Sequence, residues 1–329
     1  MQSEKKKIEV HPLDAKALTG FNPAFVKCVE AGNITEFVCL AKSPAPFPVV
    51  KIDKDHYAML DTGEIFEYEH SDNKSQNLQA VRRTLANLRG IINANCIDED
   101  KMRWVTLTYA ENMTDTERLY SDFKRFWMRF CRWCKKQKIS KPEYIAVAEP
   151  QGRGAWHMHL VLIFADKAPY IANNEVLAPL WEQGFTKIKA VHGCDNIGAY
   201  FSAYLADMPL EDFQKSDIPK GEIFDIKECS VSENGTEGKT KAFVKGARLH
   251  FYPSGMNIYR CSRGIKQPTV TTLTNSEYKK KKASVGSLTF SHACMVVSSS
   301  GSGEKSEVEN TILHEYYNTK RTTSQSGSR

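Results

Sequence analysis

The stretch Ala155-Trp156-His157-Met158-His159-Leu160-Val161-Leu162-Ile163-Phe164 decides how this chain is read. Its residues favour strands, and strand side chains alternate between two faces. His157, His159, Val161 and Ile163 fall on one face. Trp156, Met158, Leu160, Leu162 and Phe164 fall on the other, which must be core. Two imidazoles on the non-core face of a buried strand are costly unless they have partners. A metal ion is their simplest shared partner. Upstream, Glu143-Tyr144-Ile145-Ala146-Val147-Ala148-Glu149 reads as a second strand and Pro150-Gln151-Gly152-Arg153-Gly154 as a turn. So short a link predicts an antiparallel hairpin, with Glu149 almost opposite His157. Two imidazoles and a carboxylate suit a divalent ion such as Mn²⁺ or Mg²⁺, with Zn²⁺ possible. Such a site keeps positions open for a substrate oxygen.

Residues 196–207 predict a helix, opened by Asp195 or Asn196 as N-cap and stopped before Pro209. Tyr200 and Tyr204 are four apart and share one face of it. Alone they would read as half-buried aromatics; a neighbouring metal site makes them candidate nucleophiles. Residues 115–138 predict an amphipathic helix. Leu119, Phe123, Phe126, Phe130 and Cys134 line its inner face, and Lys124, Arg125, Arg129 and Arg132 are the candidate phosphate contacts outside. The plain alternative is an ordinary solvated face. Cys131 and Cys134 form a CxxC inside this helical pattern, without a second pair, and read as packing.

These motifs together resemble the HUH endonucleases, most closely the rolling-circle replication initiators of bacterial plasmids and small phages. Trp104-Val105-Thr106-Leu107-Thr108-Tyr109 is similar to the family's first motif, Glu149 with His157 and His159 to the second, and Tyr200 through Tyr204 to the third in its two-tyrosine form. The resemblance covers roughly residues 80 to 270. One departure is that Ala203, Tyr204 and Asp207 stand where many relatives carry a lysine. It implies an α+β fold: a central, largely antiparallel sheet flanked by helices, preceded by a small β-rich segment. It also implies a site-specific single-strand DNA endonuclease and strand transferase. The catalytic residues would be Tyr200 and Tyr204, and Glu149, His157 and His159 would hold the metal. The partners would be origin duplex and single-stranded DNA, with a host helicase and polymerase. The chemistry is coherent, because a phosphotyrosine link conserves the phosphodiester energy needed for rejoining. Two tyrosines would allow two successive transfers.

The chain has 329 residues, a formal charge of +6 and 41% hydrophobic residues, which fits a globular protein with a sizeable core. No apolar run is long enough to span a membrane, and residues 1–7 lack a signal-peptide core. Nine scattered cysteines fit a reducing compartment, so the expected location is the cytoplasm. No G-x-x-x-x-G-K-[ST] motif occurs, hence the expectation of a separate helicase. The expected domains are a β-rich segment (1–75), the nicking and joining domain (76–275) and a polar, partly disordered tail (276–329). Within the core, residues 76–95 predict a helix, 103–109 a strand, 174–183 a helix, 185–191 a strand and 247–252 a last strand. Residues 228–241 read as a loop. Residues 307–317 read at most as a transient helix, and the tail after 298 as dispensable for cleavage. Competing readings are a transposase or plasmid-mobilisation relaxase of the same superfamily, a cupin-like metal oxygenase, and a DNA-binding protein without catalysis. Relaxases usually place the tyrosine before the histidines, and the long basic helix does not suit a cupin.

Overall fold

The computed structural model describes the chain except residues 1–6, 45–48, 69, 192–197, 199–204, 217, 219–225, 232–238, 300–306 and 322–329. It forms two compact units. One is residues 70–266; the other joins residues 1–69 to 267–329. The fold is α+β, with antiparallel sheets throughout.

The unit 70–266 is built on helix α1 (Leu78–Asn95), strand β1 (Met102–Thr108), helix α2 (Thr116–Lys136), strands β2 (Glu143–Pro150) and β3 (Trp156–Ile163), helix α3 (Ala178–Trp181), and strands β4 (Thr186–Lys189) and β5 (Tyr259–Cys261). The sheet order is β4-β1-β3-β2-β5. β3 lies at the centre, and Met158, Leu160 and Leu162 bury its apolar face. The β2–β3 hairpin closes as its Pro/Gly composition requires. Gly154 takes φ +82°, and its N–H donates to the Gln151 carbonyl at 2.9 Å.

Helix α2 follows its apolar spacing. Leu119, Phe123, Phe126, Phe130 and Cys134 are buried, and the Asp115 side chain accepts from the Glu117 and Arg118 N–H groups at its start. Such a cap stabilises a helix by about 1 kcal/mol. Phe123 and Trp127 pack on Tyr144, at 5.2 and 4.6 Å between ring centres, and Arg260 stacks on Tyr120. Tyr144 and Arg260 belong to one face of the sheet. Glu149, five residues along the same strand from Tyr144, belongs to the other.

Four expectations are corrected. Residues 247–251 form a 3-10 turn, and β5 completes the sheet in their place. The expected loop 228–241 contains paired strands, Ile226–Val231 and Lys239–Val244. The expected tail is ordered where it is described: helix Asn275–Lys282, then strands Ser287–Ser299 and Glu307–Asn318. The last of these replaces the expected transient helix. It lies mid-sheet, between Ser287–Ser299 and Ile34–Leu40. Pairing on both edges outweighs the helix preference of its glutamates. The fourth correction concerns the domains: the N-terminal segment and the tail are one unit, closed by a six-stranded sheet that takes strands from both ends of the chain. Val26, Cys28, Phe37, Leu313 and Tyr317 form its core. Lys282 and Tyr278 satisfy the buried Glu315 carboxylate, each at 2.6 Å. Among the described residues no helix is long and apolar enough to cross a membrane.

Candidate metal and nucleic-acid site

The hairpin register places Glu149 opposite His157 and Val147 opposite His159. On the other side of β3, Thr108 faces His157 and Thr106 faces His159. Paired residues share a face, so Glu149, His157, His159, Thr106 and Thr108 rise from one side of the sheet. It is the side opposite α2.

Glu149 and His159 are in contact, Oε2 to Nε2. The Thr106 hydroxyl sits 3.2 Å from His159 Nδ1. Burial, helped by the Lys189 charge, pushes the His159 pKa down to about 4. Burial, then His159 and Arg153, does the same for His157. Both rings are therefore neutral near pH 7, the form that ligates metals. A carboxylate only accepts, so the neutral His159 ring donates from Nε2 and Nδ1 accepts from Thr106. A hydroxyl can also accept, so Thr106 can serve the other tautomer.

The donor chemistry fits a divalent ion. His157 Nε2 is buried and has no hydrogen-bond partner among the described residues, a cost that coordination would remove. The three donors do not converge, however. The imidazole centres are 6.2 Å apart, and among the described residues no three His, Cys, Asp or Glu side chains form a ready ion-holding group. Glu149 is engaged elsewhere as well, because Arg248 Nη1 pairs with its Oε1. Arg248 comes from the 3-10 turn 247–251. Tyr252, which follows that turn, is fully buried and donates to the Ala148 carbonyl at 2.8 Å, next to Glu149.

Tyr200 and Tyr204 lie outside the described residues. Their flanks are described. Gly198 is helical, and its N–H donates to Asn93 Oδ1 on α1 at 3.0 Å. The Leu205 carbonyl lies 3.5 Å from the Tyr252 hydroxyl, and Asp207 Oδ1 accepts from the Gly246 N–H at 3.1 Å. Both ends of the tyrosine segment are thus tied to elements that support Glu149.

The basic residues of α2 are not at this face. Lys124, Arg125 and Arg132 are exposed behind the sheet, and Arg125 also pairs with the buried Asp122. Arg129 is turned inward: it donates to the carbonyls of Leu180 and Trp181 and pairs with Glu182, closing the end of α3. On the histidine face the cations are others. Lys187 pairs in register with Thr106. Lys189 pairs with Trp104, and its ammonium is 5.2 Å from that ring's centre. Phe185, 74% exposed, accepts from the Thr108 N–H at the same edge.

Sequence reasoning assigned no role to Arg248, Thr106, Lys187 or Lys189. The available signals were an arginine in the otherwise apolar run Ala247–Tyr252, and two lysines alternating on an edge strand.

A family profile described as replication-associated protein, of the ORF2 type, matches residues 102–209. The matched segment begins at β1, contains Glu149, His157 and His159, and ends just past Tyr204. It is similar to that family over about a third of the chain. Comparison with curated proteins gave no match.

Proposed function

We propose that the chain initiates DNA replication by nicking one strand at an origin, holding the 5′ end on a tyrosine and later rejoining the strand. The observation that carries this reading is the placement of Glu149, His157 and His159 on one sheet face, inside the segment similar to replication-associated proteins. In the proposed reaction the Tyr200 oxygen attacks phosphorus and the bond to the 3′ oxygen breaks. The 3′ oxygen leaves as a hydroxyl after taking up a proton, and a 5′-phosphotyrosine remains. Attack by the freed 3′-hydroxyl reverses these steps. Tyr204 would accept the strand in a second transfer. Glu149, His157 and His159 would hold a divalent ion, Mn²⁺ or Mg²⁺, which supplies charge neutralisation at the scissile phosphate. Thr106 would keep His159 oriented by accepting from Nδ1–H. Lys187 and Lys189 would carry the backbone of the incoming single strand, with Phe185 beside it for base stacking. A host helicase and polymerase would extend from the nick.

The test is a covalent one. Full-length protein with Mn²⁺ and single-stranded origin DNA should yield a protein–DNA adduct at a 5′ end. Tyr200→Phe should abolish it, because the ring stays and only the nucleophilic oxygen goes. His157→Ala with His159→Ala should abolish it too while leaving duplex binding largely intact. An adduct formed by the Tyr200→Phe, Tyr204→Phe double variant would refute the tyrosine assignment.

A further inference from the structure

Glu149 is a carboxylate in a poor place to be ionised. Its side chain is 15% exposed, and its histidine neighbour is neutral. A buried carboxylate without a counter-charge is strongly disfavoured. Arg248 supplies that charge: its side chain is 10% exposed and its Nη1 meets Oε1, while His159 meets Oε2. Both carboxylate oxygens are therefore occupied by the protein itself. Arg248 lies outside the matched segment 102–209, on a turn held by the buried Tyr252.

We propose that Arg248 is a resident cation that neutralises Glu149 when the metal is absent and competes with the ion for that carboxylate. This rests on the reading that Glu149, His157 and His159 hold a divalent ion. The metal-free unit then folds without a stranded charge, at the expense of metal affinity. An arriving ion meets a guanidinium already on its carboxylate ligand, and like charges repel. Even with the dielectric of water, a unit charge about 5 Å from a divalent ion changes its affinity by about tenfold, and partial burial enlarges the effect. Orientation of Glu149 by Arg248 works in the opposite direction but is the smaller influence, because β2 and His159 also position the carboxylate. The site is thus built for loose, exchangeable metal rather than for a permanent ion.

The experiment is a Mn²⁺ titration of the full chain, followed by the free-ion electron paramagnetic resonance signal, beside melting curves with and without Mn²⁺. Arg248→Met should bind Mn²⁺ at least about tenfold more tightly than wild type. It should melt lower without metal and recover more on adding it. Arg248→Lys keeps the charge and should bind nearly as wild type does. Adding His159→Ala to Arg248→Met should abolish the gain. A purely structural arginine would give unchanged or weaker binding in Arg248→Met, and that result overturns the proposal while the metal reading stands. Failure of both wild type and Arg248→Met to bind Mn²⁺ overturns the metal reading and this inference with it. If Arg248→Met does not fold without metal, refolding in Mn²⁺ decides: recovery that Na⁺ at equal ionic strength does not reproduce supports the competition, and no recovery overturns it.

Discussion

Gly198→Ala sets two effects against each other, and their magnitudes choose between them. On an exposed helix, replacing Gly by Ala stabilises by about 1 kcal/mol. Gly198 is buried and lies against α1. A Cβ built there would stand 2.5 Å from the Arg89 carbonyl oxygen, 2.8 Å from Asn93 Oδ1 and 3.0 Å from Arg89 Cγ. The carbonyl belongs to the body of α1 and cannot step aside, so the Gly198 segment must move. Overpacking of this kind costs about 1–3 kcal/mol. The shift also stretches the 3.0 Å hydrogen bond from the Gly198 N–H to Asn93, and a buried partner left unsatisfied costs about 1–3 kcal/mol more. Packing therefore wins, with a net loss of about 2 kcal/mol. Urea denaturation of wild type and variant measures it. Tyr200 is two residues further on, so under the proposed reading adduct formation should fall by more than the folded fraction explains. A variant as stable as wild type, or more stable, would show that Gly198 does not approach α1 this closely and would remove the structural anchor of the tyrosine segment.

Three other outcomes are expected. His157 and His159 are held neutral down to about pH 4, whereas an unfolded histidine titrates near 6.5. The unfolded chain therefore binds more protons between these values, and stability present above pH 6.5 is lost as the pH falls toward 4. Denaturation of the metal-free protein at pH 7.5 and 5.0 should differ by at most about 2 kcal/mol per histidine, and replacing both histidines by Gln should remove most of that difference; a wild type equally stable at both values contradicts the assignment. Truncation after residue 306 removes the strand that joins Ser287–Ser299 to Ile34–Leu40. Amide exchange in residues 25–40 should then lose its protection, and retained protection would mean that the sheet does not depend on this strand. Lys187→Gln with Lys189→Gln should flatten the salt dependence of single-strand binding by about 1.4 log units, about 0.7 for each lost phosphate contact. An unchanged slope would take β4 out of the DNA path.

The sequence made the site's scaffold legible because that scaffold is local. β2, the turn and β3 are consecutive, and strand alternation alone puts Glu149 and His157 on one face. Helix α2 was equally legible from its apolar spacing. What could not be read depends on distant partners. The strand Glu307–Asn318 buries Leu313, Glu315 and Tyr317 on alternate residues, yet Glu315 is tolerable there only because Lys282 and Tyr278 reach it. Arg248 and Glu149 stand 99 positions apart in the sequence, and only the folded chain shows their pairing. The face of α2 was hidden for another reason. Periodicity tells which side of a helix is apolar, not which side of a sheet it covers.

That last ambiguity bears on where the charge for phosphate chemistry comes from. Lys124, Arg125 and Arg132 made α2 the natural DNA-binding element by sequence. The entire formal excess of +6 does fall in residues 70–266, the other unit being balanced. Yet α2 covers the Tyr144 side of the sheet, and a helix is about 10 Å across. Its outer cations thus lie more than a Debye length, about 8 Å at physiological ionic strength, beyond the sheet. They can hold duplex DNA at a distance, but they cannot neutralise a phosphate at His157. On the histidine face that charge must come from Lys187, Lys189, Arg153 and Arg248, together with the ion that Glu149, His157 and His159 would hold. The face that carries the proposed chemistry therefore has few fixed cations, one of them already spent on Glu149, and this is the condition under which a recruited divalent ion contributes most.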